Sequence, residues 1–135
     1  MASFNKFYSF VEAVAEKKHN LGSDQLVVAL TNTVPVNTNT QLSNITEISY
    51  TNCSTRNITT TTSAQTTGTY KLVLADLVLT ASGAVGPFQY VVIYNDTATN
   101  DELVGWYDYG SPVTLASGDT FTIDMDATNG VLTIA

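Results

Sequence analysis

The chain is poor in the residues that carry chemistry. It holds one histidine, His19, one cysteine, Cys53, and one tryptophan, Trp106, and only 13% of its 135 residues are charged. Catalysis needs ionisable groups gathered and tuned by their neighbours, and so sparse a chain reads as a non-enzyme without a cofactor. One cysteine cannot form an internal disulfide, so a small domain of this kind is held by its core or by neighbouring subunits. Basic residues are scarce as well, 5 against 12 acidic, for a formal charge of -7. A nucleic-acid face would work against the field of the whole molecule. No stretch approaches the roughly 20 apolar residues of a spanning helix. The opening Met1-Ala2-Ser3-Phe4-Asn5-Lys6 lacks the basic segment and apolar run of a secretory signal. Neither nucleic acid nor membrane is expected as a partner.

What the chain has in quantity is threonine, asparagine and alternating apolar residues, a composition that suits sheets with a polar outer face. At 44% hydrophobic content, residues 1–135 read as a single β-rich domain. Phe4, Phe7, Tyr8, Phe10, Val11, Val14 and Ala15 recur at three- and four-residue spacings, which predicts an amphipathic helix over residues 4–18. Lys17 and Lys18 stand at its C-terminal end, where cations are favoured. Its aromatic face either covers one end of the domain or serves as an assembly surface.

After Gly22 the pattern turns to short strands. Leu26 to Leu30 reads as a buried strand and residues 45–50 as a short one. The run from Thr59 to Gly68 has high β-propensity and almost nothing to bury, so it is a solvated edge strand, a loop, or a segment ordered by another subunit. Tyr70 to Thr80 is long for one strand, and Asp76 in its middle predicts a bulge or break. Phe88 to Tyr94 is apolar on both faces. In Leu103 to Tyr109, alternation sends Trp106 and Tyr107 to opposite sides. Thr120 to Asp126 alternates cleanly, and Asn129-Gly130 predicts a hairpin with Val131 to Ala135. Seven or eight strands with antiparallel turn signals predict a mainly β fold: an antiparallel β-sandwich or jelly-roll-like domain with an N-terminal amphipathic helix.

Candidate chemistry is thin. His19 lies next to Lys18 and Asn20 and reads as a surface residue at a helix end. Cys53 lies in a polar Asn52-Cys53-Ser54-Thr55 turn with no histidine near it. Asp119, Asp124 and Asp126, with Asp96 or Asp101, offer the hard oxygen ligands calcium prefers, yet Asp124 and Asp126 also fit the wet side of a strand, and no metal site is assigned. N-x-[ST] triplets at Asn44, Asn52, Asn57 and Asn95 predict exposed turns in a chain so rich in Asn and Thr. The aromatics of Trp106-Tyr107-Asp108-Tyr109 suit core packing, a subunit interface or a sugar platform.

Several stretches together resemble small virion structural proteins of tailed bacteriophages, among them proteins that decorate or cement the head: FNKFYSFVEAVAEKKHNL (Phe4 to Leu21), GTYKLVLADLVL (Gly68 to Leu79), GPFQYVVIYNDT (Gly86 to Thr97), WYDYG (Trp106 to Gly110) and the ending DATNGVLTI. The resemblance implies a virion component on the outer capsid surface, made in the host cytoplasm. It would contact the major capsid protein or another virion protein, as a homo-oligomer. The interface candidates are Phe7 and Phe10 on the helix, Thr61 and Thr62 in the threonine run, and Trp106 and Tyr107. The competing expectation is a tail or fibre module that binds carbohydrate or a host surface.

Overall fold

The structure, a computed structural model, describes residues 2–135. These form nine strands and one short α-helix: β1 (Phe4–Lys6), α1 (Ser9–Ala15), β2 (Leu26–Thr31), β3 (Thr60–Thr66), β4 (Thr69–Leu74), β5 (Leu77–Thr80), β6 (Val85–Asn95), β7 (Leu103–Leu115), β8 (Thr120–Ile123) and β9 (Leu132–Ile134). All pairings are antiparallel, in three sheets ordered β1-β7-β6-β2, β3-β4-β9 and β5-β8. The mainly β expectation holds. Residues 45–50 form no strand; that segment runs alongside β2 through single contacts such as Ile48 N–H to Leu30 O at 3.0 Å.

The helix is shorter than residues 4–18 at both ends, for separate reasons. Its expected first turn is instead β1, which pairs Phe4 with Tyr107 and Lys6 with Gly105. Its last turn is closed early: Lys18 N–H reaches Ala13 O at 2.8 Å, Lys17 N–H reaches Val14 O at 3.3 Å, and Lys17 sits at φ 65°. That is a Schellman stop with lysine in the left-handed position glycine usually takes.

The core has two parts on opposite faces of the four-stranded sheet. The larger gathers Leu26, Val28 and Leu30 of β2, Val91 and Ile93 of β6, Leu72 and Leu74 of β4, Leu79 of β5 and Ile123 of β8, so all three sheets share it. The smaller lies on the other face, where Val27, Ala29, Val92, Tyr94, Leu103 and Trp106 are covered by Phe7 and Ile45. A bulge in β7 makes this division possible. Ile93 pairs with Gly105 but Tyr94 with Leu103, leaving Val104 as the extra residue. Leu103 and Trp106 thereby share one face while Tyr107 takes the other, as alternation predicts for the last two. Gly105 is forced by close approach, since a Cβ there would meet the ring of Phe4 and lie 2.5 Å from Asn5 O.

Burial corrects most of the interface candidates. Phe7 is fully buried, and Phe10, Trp106 and Tyr107 are nearly so. Phe7 stacks tilted on Trp106 at 4.6 Å, and Phe4 meets Tyr107 edge-on at 5.3 Å. These aromatics hold the fold from within. The helix is amphipathic, but its aromatic stripe points into its own domain.

Two further expectations meet the structure at the turns. The Tyr70 to Thr80 run does break at Asp76, and its halves enter different sheets. Asp76 Oδ1 accepts the Met125 N–H at 2.7 Å across the break. The C-terminal hairpin does not form: β8 pairs with β5 and β9 with β4. Asn129-Gly130 makes its turn, with Gly130 at φ 79° and Gly130 N–H on Asp126 O at 3.0 Å. The turn delivers the chain to a third strand, seating Val131 N–H on Leu72 O at 2.9 Å.

The outer edges of two sheets are treated differently. That of β2 is covered: Val28 N–H reaches Arg56 O, Ile58 N–H reaches Leu26 O, the Arg56 guanidinium donates to Val28 O at 2.6 Å, and Leu30 N–H donates to the Tyr50 hydroxyl at 2.9 Å. Arg56 also lies 3.6 Å over the Tyr50 ring, which holds the cover flat. The edge of β3 has no strand beyond it among the described residues. Its sequence, TTTSAQT, carries neither charge nor proline.

Candidate functional site

Ionisable chemistry concentrates where α1 ends. The Schellman stop turns the chain sharply, and a second turn follows in which Asp24 N–H returns to Asn20 O at 2.8 Å while Asp24 Oδ2 accepts from Asn20 N–H at 2.8 Å. Between these turns His19 is driven inward, 7% exposed, with its ring 5.3 Å from that of Phe10. From the opposite side comes the end of β6. Asn95, fully buried, accepts the N–H groups of Thr97 and Ala98 on Oδ1, an Asx turn closed by Asn95 N–H on Glu102 O at 2.9 Å.

The two halves meet at the Asn95 amide. With Oδ1 committed to two backbone N–H groups, Nδ2 points its hydrogens at Asp24 Oδ2, 2.7 Å away, and His19 Nδ1, 2.9 Å away. His19 Nδ1 is therefore the acceptor, and the imidazole is the neutral tautomer with its hydrogen on Nε2. Glu102, 9% exposed, lies in the same wall. The group opens to a cleft of about 780 Å³ bounded by the end of α1, the 97–100 turn, β3 and β4.

His19 is thus no surface residue, and Asn95 is no exposed sequon. His19 carries no signal in periodicity or motif, and the Asn95 triplet points to an exposed turn instead; what joins them is pairing between elements more than 70 residues apart, Asn95 and His19 being separated by 76 positions. The only local hint is the strand-ending Asn-Asp-Thr, whose first residue suits an Asx turn.

Burial pushes the His19 imidazole below its ordinary value of 6.5, against the upward pull of the Glu102 and Asp24 carboxyls. Lys17 and Lys18 share the cleft. Since the folded value is the lower one, the unfolded chain takes up the proton first as pH falls below about 6.5. The stability that neutral His19 contributes is complete above that pH, is lost progressively below it, and changes no further beneath the folded value. Urea melts from about pH 7.5 to 5 should show a falling midpoint in the wild type, and this component should be missing in His19→Gln.

The other candidate groups are occupied structurally. The half-buried Cys53 thiol is pushed up by burial, with Arg56 pulling back, which is the wrong direction for a nucleophile. Asp119 Oδ2 accepts from Ala116 N–H at 2.8 Å, and Asp126 takes Thr128 N–H and Asn129 N–H on one oxygen and the Asn129 side chain on the other. Among the described residues no three His, Cys, Asp or Glu side chains gather closely enough to hold a metal. Thr61 and Thr62 are both exposed on β3, with Thr61 Oγ1 tied to Val73 O at 3.1 Å. No helix among these residues is long and apolar enough to cross a membrane.

The class so defined is a mainly β, antiparallel protein with one short helix and a network of buried His19 and Asn95 with half-buried Asp24 beside a cleft. Beyond that class, no protein family, curated protein or solved structure matches the chain.

Proposed function

We propose that this protein is a non-enzymatic structural component of a bacteriophage virion, a decoration or cement protein that reinforces the head from the outer capsid surface. The observation that carries the protein-contact part of this reading is the open edge of β3. Monomeric proteins blunt such edges with charge, proline, a bulge or a covering segment, and this chain covers the edge of β2 whereas β3 has only the irregularity at its first residues. Past an irregularity in register between Thr60 and Thr62, Thr60–Thr66 is left uncharged, with its outer backbone groups available to a strand from a neighbour, whether another copy, the major capsid protein or another virion protein. The resemblance of five stretches to phage virion proteins supplies the setting.

A second contact surface replaces the buried aromatics. Tyr8 and Val11, 62% and 55% exposed, stand one helical turn apart on the outer side of α1. Tyr8 N–H binds Asn37 O, and the Asn37 side chain returns to the Tyr8 hydroxyl, each at 3.0 Å. These bonds bring the start of α1 to the loop in which Val34 and Val36 are 60% and 53% exposed. Exposed apolar side chains near one another suit a docking face. On this reading the four-stranded sheet and the two smaller ones form a jelly-roll-like sandwich that carries both surfaces. Several modest contacts on a shell reinforce one another, because each raises the effective concentration of the next.

The alternative, a tail or fibre module binding carbohydrate through Trp106 and Tyr107, loses its platform, since both rings are buried. Locating the protein in purified particles by electron microscopy tests the proposal. Density on the capsid lattice is the expected result; a protein missing from particles, or confined to the tail, rejects it.

A further inference from the structure

The His19 ring is held by a hydrogen bond that only a neutral imidazole can accept. Asn95 Oδ1 accepts the Thr97 and Ala98 N–H groups at 3.0 and 3.2 Å, which leaves Nδ2 to donate to His19 Nδ1 and Asp24 Oδ2. Turning the amide over would aim its hydrogens at two backbone donors. His19 Nε2 has no partner, so the Asn95 contact is the ring's one hydrogen bond among the described residues. A proton added at Nδ1 would set donor against donor across the present 2.9 Å. Neither group can turn to water in place, since His19 is 7% exposed and Asn95 fully buried. A charged ring must therefore leave its seat.

The segment that would move with it is bounded on both sides. Before His19, the buried Phe10 and Ala13 root α1 in the core, and Lys17 takes a left-handed φ of 65° that an L side chain holds at a cost. After Asp24, Gln25 is fastened to the 96–97 turn: Asp96 N–H donates to Gln25 O and Gln25 N–H to Thr97 Oγ1, each at 2.9 Å. Between these anchors Leu21 is the only buried apolar side chain of residues 17–24. Charged and titratable groups face the ring from each neighbouring element. Asp24 and Glu102, just before β7, favour an imidazolium, while Lys17 and Lys18 line the same cleft and oppose it; Tyr70 of β4 also lines it, its hydroxyl 2.6 Å from Ser63 Oγ. Two acids against two lysines leave the donor clash and burial to decide. We propose that His19 is the pin of an acid-released latch: its protonation frees residues 17–24 from the Asn95 amide and opens the cleft beside α1 while the sheets stay intact. The latch rests on neither the open edge of β3 nor the virion reading.

The test is NMR on the full ¹⁵N-labelled chain between about pH 7.5 and 5. At the upper end, long-range ¹⁵N–¹H spectra of the imidazole should show its hydrogen on Nε2 alone. On acidification, amide exchange corrected for its intrinsic pH dependence should quicken roughly threefold or more at Asn20, Ser23 and Asp24. The amides of Val28 and Leu30 in β2 should keep their protection. In His19→Gln, whose side-chain oxygen can accept the Asn95 bond but takes up no proton, the acid step should vanish. The wild-type tautomer and pH profile stand without the variant, should His19→Gln disturb the fold. A hydrogen on Nδ1 at neutral pH overturns the proposal. So does a ring that titrates while Asn20, Ser23 and Asp24 stay protected, or an acid step of equal size in β2, which would mark global unfolding. Persistence of the step in His19→Gln would assign it to another group.

Discussion

Phe7→Ala is expected to cost about 3–5 kcal/mol of stability, the usual penalty for removing a buried phenyl ring. Phe7 is fully buried, and its backbone N–H is anchored to Val104 O at 3.3 Å, next to the β7 bulge. Its ring stacks on Trp106, and with Ile45 it forms the cover over the smaller core. Little else can collapse into the gap, because Trp106 and Leu103 are fixed by strand register. Trp106 is the only tryptophan, so its fluorescence reports the site directly. Emission should shift to the red in the folded variant, and urea melts should give the stability loss. Val11→Ala, on the exposed side of the same helix, should stay within about 0.5 kcal/mol of wild type. Equal losses in the two variants would contradict this account of the helix.

The second large effect is expected on assembly and not on folding. Thr62→Lys places a charge on the exposed strand β3, a device by which edge strands avoid pairing. The side chain is exposed and tied to nothing, so the isolated protein should melt within about 0.5 kcal/mol of wild type. On the proposed virion role, occupancy on purified particles should nevertheless fall by about an order of magnitude or more, since losing one of several linked contacts would remove its share of the avidity. Quantitative gel analysis of particles assembled with each variant measures this. Undiminished occupancy would leave the β3 edge without a role in attachment.

Where elements are written in local pattern, the sequence reads well. The apolar run at Leu26 marks β2, the two-faced run from Phe88 marks β6, Asp76 marks the switch between sheets, and alternation separates Trp106 from Tyr107. The misreadings share another cause. Phe4 has the spacing of a helical residue, but Tyr107 offers it a strand partner. Asn129-Gly130 announces a turn without naming the strand it leads to, and Leu72 decides that. The cleft was the least legible feature, because His19, Asn95 and Glu102 become a site only when the end of α1 meets the 95–102 loop. Local rules rank each of them as an ordinary polar residue.

The covered edge of β2 has a consequence for the order in which the protein comes together. Both neighbours of Leu26–Thr31, the segment around residues 48–58 and strand β6, are encoded downstream of it. A nascent chain therefore carries an apolar stretch whose β6 side stays unpaired until some 65 further residues have emerged. Pairings this distant in sequence place a domain among the slower folders, on a scale of milliseconds to seconds. During that interval a second unfinished chain can supply a wrong partner. The strand best shielded in the finished protein is thus the one most exposed while it is being made, and crowded synthesis of many copies would make early chaperone capture of this stretch a determinant of yield.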